Sequence, residues 1–269
     1  MNTKIVFSDI DGTFLTNDHK VTSKTEKAVK SLLNKKIPFI LVSARMPEAI
    51  YPITNKIGVK IPIISYSGGL VLTENEEVLY NKTIAIDDTK NVLKAIDQSW
   101  SDITVNYYAG RKWFVRDIND WRAKREMDIT SATAENANFD ELIEKNIMPN
   151  KILIMCEPPT CEEMERELSK KFPTLNVVRS STILLEIMDK SVSKATGINV
   201  MLKHYNLKAE EAIGFGDNYN DIEMFKLVGK AIVMGNAPEP VKKFATEITL
   251  SNEDSGIYDY LAKNKIIDV

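Results

Sequence analysis

Two aspartates, Asp9 and Asp11, close the apolar segment KIVFSDIDGT near the start of the chain, with Gly12 and Thr13 directly behind them. Side chains alternate along a strand, so residues two apart share a side, and Gly12 lets the chain turn and brings backbone N–H groups close. Two carboxylates aimed at one point repel each other. A divalent cation offsets that repulsion, and Mg²⁺ favours carboxylate oxygens and water in an octahedral shell. Taken alone, a D-x-D is also what a capped strand-to-helix turn leaves in a sequence. A second acidic cluster, GFGDNYNDIEM, follows another apolar segment and brings Asp217, Asn218, Asn220 and Asp221. Asp221 stands where it can cap the helix that begins there. Asp217, directly behind Gly216, has no such local reason to be acidic and is the better candidate metal ligand.

Lys194 falls in the first turn of the helical stretch SVSKATGINVMLKHY, where a cation opposes the helix dipole. An anionic partner reverses that sign. Ser43, Ala44 and Arg45 in LVSAR offer a hydroxyl and further N–H donors, and a phosphate is a target common to both places. A solvated lysine is the competing reading of Lys194 by itself. His19 and His204 are the only histidines, and Cys156 and Cys161 the only cysteines. Together they do not easily make a zinc site of the usual nitrogen and sulfur composition, so any metal is expected to be a hard, oxygen-bound cation. The same scarcity argues against Ser-His or Cys-His catalysis, although His19 lies near the opening aspartates. His204 reads as helix surface. The two cysteines read as structural thiols of a reducing compartment.

The elements that must position these residues alternate. KIVFSDI, IPFILVSA and IPIISYS read as strands, with amphipathic helical stretches between them, and GLVLTENEEVLYN reads as a hairpin. From about Ile84 the texture changes to hairpins mixed with helices: DITVNYYAGRKWFVRD turns at Gly110, and LNVVRSSTILLEIM turns at Ser180 and Ser181. After Asp189 the alternation resumes through EAIGFGD, DIEMFKLVG, KAIVMG and a helix over APEPVKKFATE. The expected fold is α/β, a Rossmann-like parallel-sheet core over residues 1–83 and 189–269 with an inserted α+β cap over residues 84–188. In such sheets ligands settle at the carboxyl ends of strands, which is where the four polar stretches fall.

In this order, DIDGT, VSAR, SVSK and GDNYND resemble the four motifs of the haloacid dehalogenase superfamily of aspartate-nucleophile phosphatases. The inserted region and the closing SNEDSGIYDYL are similar to the Cof-type sugar-phosphate phosphatases, so the resemblance spans essentially the whole chain. It implies that Asp9 attacks phosphorus, that Asp11 is general acid and then base, and that Lys194 balances charge on nucleophile and phosphate. Ser43, Ala44, Arg45, Gly12 and Asn220 would bind the substrate phosphate, with Asn220 alternatively supporting Lys194. Asp9, Asp11, Asp217 and Asp221 would hold or support Mg²⁺. The chain departs from the subfamily at Ser67-Gly68, where Asn-Gly is usual. A phosphomutase or phosphotransferase using the same aspartate, and a non-catalytic phospho-acceptor module, are the alternatives.

Thirty-five Lys and Arg against 38 Asp and Glu give a formal charge of -3, which leaves no global basic field for nucleic acid or an anionic membrane. The run Trp121, Arg122, Lys124, Arg125 alternates with Glu126 and Asp128, as a wet helix face does. No apolar run approaches a membrane span and no secretory segment opens the chain, so a cytoplasmic protein is expected. The expected partner is a small phosphorylated metabolite, with no nucleic acid, membrane or evident protein partner. Arg45, Tyr107, Trp113, Arg116, Trp121 and Arg179 are possible rim groups for which packing or a solvated face is the simpler explanation.

Overall fold

The computed structural model describes residues 3–268. The first stretch of chain forms β1 (Ile5–Asp9), α1 (Ser23–Asn34), β2 (Phe39–Val42), α2 (Pro47–Lys56), β3 (Ile63–Ser65), β4 (Leu70–Leu72) and β5 (Val78–Asn81). Every residue of β1, β2 and β3 is buried, the mark of strands covered on both faces. Helix α1 shows how local sequence fixes an element here. The Thr22 side chain accepts from the Thr25 N–H, Ala28, Val29 and Leu32 turn inward, and the chain leaves the helix through Lys36 at positive φ.

The middle stretch forms α3 (Ile86–Ser99), β6 (Thr104–Ala109), β7 (Lys112–Val115), α4 (Trp121–Thr130), β8 (Glu135–Asn136), α5 (Phe139–Glu144), β9 (Lys151–Met155), α6 (Thr160–Lys171), β10 (Leu175–Ser181) and β11 (Leu184–Asp189). These strands make a six-stranded sheet in the order β10-β11-β9-β6-β7-β8, antiparallel except for the β7–β8 pair. One face buries Val105, Tyr107, Phe114, Ile152, Ile154, Leu185 and Ile187 under α3, α5 and α6.

The last stretch forms α7 (Lys194–His204), β12 (Ala212–Gly216), α8 (Ile222–Leu227), β13 (Lys230–Val233), α9 (Glu239–Lys242), β14 (Glu247–Ile248) and α10 (Gly256–Lys263). Its strands join the first stretch in an eight-stranded sheet, β14-β13-β12-β1-β2-β3-β4-β5, parallel from β14 to β3 and antiparallel between β3 and β4. This is an α/β fold with a Rossmann-like core. The described chain divides into two compact units. One holds the residues up to Arg45, Ile50–Tyr80 and those from Ser193 onward; the other holds Met46–Ala49 and Asn81–Val192. No helix of the described residues is long and apolar enough to cross a membrane.

Two expectations are corrected. Cys156 and Cys161 are joined in a disulfide, not free thiols: Cys156 follows β9, Cys161 lies in the first turn of α6, and their Cα atoms are 5.8 Å apart, within bridging range. The helix over APEPVKKFATE shrinks to Glu239–Lys242, because Pro238 delays its start and the chain returns at once to β14, with Thr246 N–H donating to the Ala231 carbonyl.

Candidate active site

Register decides where the polar residues meet. Parallel β1 lies between β12 and β2, with Ser8 opposite Phe215 and Asp9 opposite Val42. Asp9, Ser43 and Asp217 therefore stand at the carboxyl ends of three adjacent strands. Helix α7 starts at the same place: its first residue, Lys194, is fully buried and its Nζ donates to Asp9 Oδ1 and, at 2.6 Å, to Asp221 Oδ1. Oxygens of Asp9, Asp217 and Asp221 all lie within 4.8 Å of one another, the one acidic group of this kind found among the described residues.

Each carboxylate is held differently. Asp221 Oδ2 accepts the N–H groups of Asp217 and Asn218, both at 3.0 Å, so it braces the turn after β12 as well as Lys194. Asp217 Oδ1 accepts the Thr13 hydroxyl at 2.7 Å. Gly12 is required at this contact: its φ is +80°, and a Cβ there would lie 2.5 Å from Asp217 Oδ2.

Burial and crowding set the protonation of the cluster. Burial pushes the Asp217 carboxyl up to about 6, with Thr13 opposing and Asp221 adding to the rise. Burial likewise raises Asp9, against the pull of Lys194 and with the push of Asp221 and Asp217. For Lys194, burial works against the ammonium, but attraction to Asp221 and Asp9 outweighs it and the group is held protonated. Three buried carboxylates thus share one ammonium, an arrangement that a further cation would stabilise.

Asp11 does not join them. The strand ends at Asp9, and the N–H groups of Thr13, Phe14 and Leu15 all turn back to the Ile10 carbonyl, so the alternation that would have put Asp9 and Asp11 on one side no longer applies. Its side chain, 48% exposed, instead takes a two-point fork from Arg45, Nε to Oδ2 at 2.9 Å and Nη2 to Oδ1 at 2.6 Å, with His19 Nδ1 at 3.8 Å. The Asp11 carboxylate thus lies outside the group formed by Asp9, Asp217 and Asp221. Asn220 is exposed in the turn Tyr219–Asp221, and it is Asp221 that accepts from Lys194.

Ser43 is 2% exposed, and its Oγ accepts the Arg45 N–H at 3.1 Å across the half-buried Ala44. The Ser67 N–H donates to the Ser43 carbonyl at 2.8 Å, and Tyr66, Ser67 and Gly68 all have positive φ. At Ser67-Gly68 it is therefore the backbone that reaches the loop of Ser43. Among the rim groups, Tyr107 and Trp113 are core: the phenol donates to the Ile147 carbonyl and the indole to Asn106 Oδ1. Arg116 forks onto Asp97, Arg179 donates from Nε and from its backbone N–H to Glu165, and Arg122 is buried and stacked on the exposed Trp121. His204 is exposed. Thr13 is a residue of the site that the sequence marks only by a hydroxyl directly behind D-x-D-G.

The family model described as haloacid dehalogenase-like hydrolase matches residues 6–261. A Haemophilus influenzae protein named as a candidate phosphatase is 33% identical over 254 residues, which cover 94% of this chain and 95% of that protein. A solved haloacid dehalogenase-like hydrolase from Bacteroides thetaiotaomicron superposes with a TM-score of 0.87 at 25% identity, covering 98% of this chain and 100% of that one. TM0651 from Thermotoga maritima gives 0.88 at 26% identity, covering 97% of each chain.

Proposed function

The chain belongs to the haloacid dehalogenase-like hydrolases, and from that premise we propose that it is a Mg²⁺-dependent phosphatase of small phosphorylated metabolites, sugar phosphates foremost. The observation that carries the reading is Lys194, a fully buried ammonium bonded at once to Asp9 and Asp221 beside a third carboxylate, Asp217. Buried carboxylates in excess of their counter-charge cost free energy unless a ligand resolves them.

An all-oxygen set under mutual repulsion suits a hard cation, and Asp9 and Asp217 are the residues that would hold it, since both oxygens of Asp221 already accept protein donors. When bound, Mg²⁺ supplies neutralisation of the charge on the transferring phosphoryl group. The chain's own groups do the rest. An Asp9 oxygen attacks phosphorus as the ester oxygen leaves; Arg45 turning from its fork on Asp11 to the incoming phosphate frees Asp11 to take up a proton and pass it to that leaving alkoxide. Water then attacks the aspartyl phosphate, gives a proton to Asp11, and releases phosphate with Asp9 restored. Lys194 keeps Asp9 oriented and balances the negative charge that gathers on the phosphoryl oxygens. Ser43, Ala44, Arg45, Gly12 and Asn220 are assigned to the substrate phosphate, and the inserted region, residues 84–188, to substrate selection.

Phosphate release from a panel of phosphoesters, measured with Mg²⁺ and with a chelator, tests this reading. Release should need the metal and should vanish in Asp9→Asn and Asp11→Asn. Near-normal turnover by Asp9→Asn would rule out attack by the carboxylate, and phosphoryl exchange without net release would make the protein a phosphomutase.

A further inference from the structure

Two segments outside the chemistry above reach the turn that carries it. Asn252, buried in the loop between β14 and α10, donates from Nδ2 to the Leu15 carbonyl at 2.9 Å and to Asn17 Oδ1 at 3.3 Å. Its backbone N–H donates to Asn236 Oδ1 at 3.1 Å. Asn236, exposed in the loop after β13, donates in turn from Nδ2 to the Gly12 carbonyl at 2.9 Å. That carbonyl belongs to the peptide whose nitrogen is Thr13's, and Thr13 Oγ1 donates to Asp217 Oδ1. A line of hydrogen bonds therefore runs from the C-terminal loop to a carboxylate of the acidic cluster.

We propose that Asn236 is a positioning residue for Asp217, acting through the Gly12–Thr13 peptide, and that it thereby sets the affinity of the cluster for Mg²⁺. The inference rests on the metal-dependent reading given above. A glycine peptide plane has little intrinsic restraint, and the other bond on this one, from Thr13 N–H to the Ile10 carbonyl, is long at 3.4 Å. The Asn236 bond is thus the short contact that fixes the plane, and with it the direction of the Thr13 hydroxyl. An amide is needed because the side chain must both accept from Asn252 and donate to Gly12; a carboxylate can do only the first. Because Asn236 is exposed, its replacement removes little buried surface, so a loss of metal affinity would not come from a loosened fold.

The test is a calorimetric Mg²⁺ titration with a thermal melt and phosphatase kinetics, on the full chain, for wild type, Asn236→Ala, Asn236→Asp and each of these combined with Thr13→Val. One net hydrogen bond corresponds to a rise of about 5- to 10-fold in the Mg²⁺ dissociation constant of Asn236→Ala. Asn236→Asp should lose at least about 5-fold although it keeps the acceptor for Asn252. Midpoints should stay within about 2 °C of wild type, and in the Thr13→Val background neither substitution should weaken binding further. An unchanged dissociation constant in Asn236→Ala, full additivity with Thr13→Val, or a melt lowered by more than about 5 °C in both variants would overturn the proposal. A wild type that binds Mg²⁺ but releases no phosphate defeats the catalytic reading alone, and one that binds no Mg²⁺ defeats both.

Discussion

The two sheets handle buried polar groups in opposite ways. In the eight-stranded sheet they collect at one edge, with Asp9 ending β1, Asp217 just past β12 and Lys194 opening α7. In the six-stranded sheet they belong to the strands themselves, with Asn106 within β6, Glu186 within β11 and Lys151 opening β9. Lys151 Nζ lies 3.5 Å from Glu186 Oε1 and over the Tyr108 ring, and Asn106 joins the Trp113 indole to the Leu153 carbonyl. Parallel strands all end on the same edge, where helices begin, so independent side chains are brought to one point. Neighbouring antiparallel strands end on opposite edges, so polar groups there meet their partners across a ladder. The first arrangement gathers three carboxylates around one ammonium and invites a cation; the second pairs a lysine with a glutamate.

Substituting Asp9 should break the comparison most completely. Asp9→Asn is expected to lower phosphate release by about 10³-fold or more, read as kcat with Mg²⁺ saturating, since it removes the attacking group itself. Next in size is the contrast between the lysines. Lys151→Met should cost about 3 kcal/mol or more of unfolding free energy by stranding Glu186, and Lys151→Met with Glu186→Leu should recover much of it. Lys194→Met should lose kcat by a large factor that no second substitution at Asp221 restores. If both lysines behaved alike in chemical denaturation and kinetics, the distinction between a structural pair and an unbalanced cluster would fail.

The pH dependence sharpens the same point. Asp217 is raised in the folded protein to about 6, so between its usual value near 4 and about 6 the folded state binds the extra proton. The stability that this proton contributes is full below that window and is lost as pH rises through it. Without metal, thermal melts should therefore fall over this range in wild type more than in Asp217→Asn. With Mg²⁺, half-saturation should shift to higher metal concentration as pH drops below about 6, because proton and cation compete. A flat metal dependence between pH 5 and 7, measured by calorimetry, would remove Asp217 from the ligand set. The smallest effect belongs to the surface of the other unit. Asp120, whose side chain caps α4 by accepting the Arg122 N–H, should cost about 1 kcal/mol as Asp120→Ala and leave turnover unchanged.

Much of the molecule was legible because its signals are local. Fully apolar runs gave the buried strands, Gly110 marked the β6–β7 turn, and helical spacing gave α1 and α7. The short pieces escaped. Helix α5, capped by the Asn138 side chain on the Asp140 N–H, is too brief for periodicity to register, and β8 has only two residues. Within the site, the identities of Asp9, Lys194, Asp217 and Asp221 could be read, but the fork of Arg45 on Asp11 could not, because nothing in the spacing says that the strand stops at Asp9.

The amino-acid sequence by itself determined which residues carry charge, where strands and helix starts place them, and that histidine and cysteine are too scarce to build a softer metal site. Only the tertiary structure decided which carboxylates share Lys194, which one is drawn off to Arg45, and that an asparagine over two hundred residues away grips Gly12. Strand and helix preferences act over a few neighbours, whereas these choices depend on strand register and on the direction of a single turn, which are settled by the packing of the whole core.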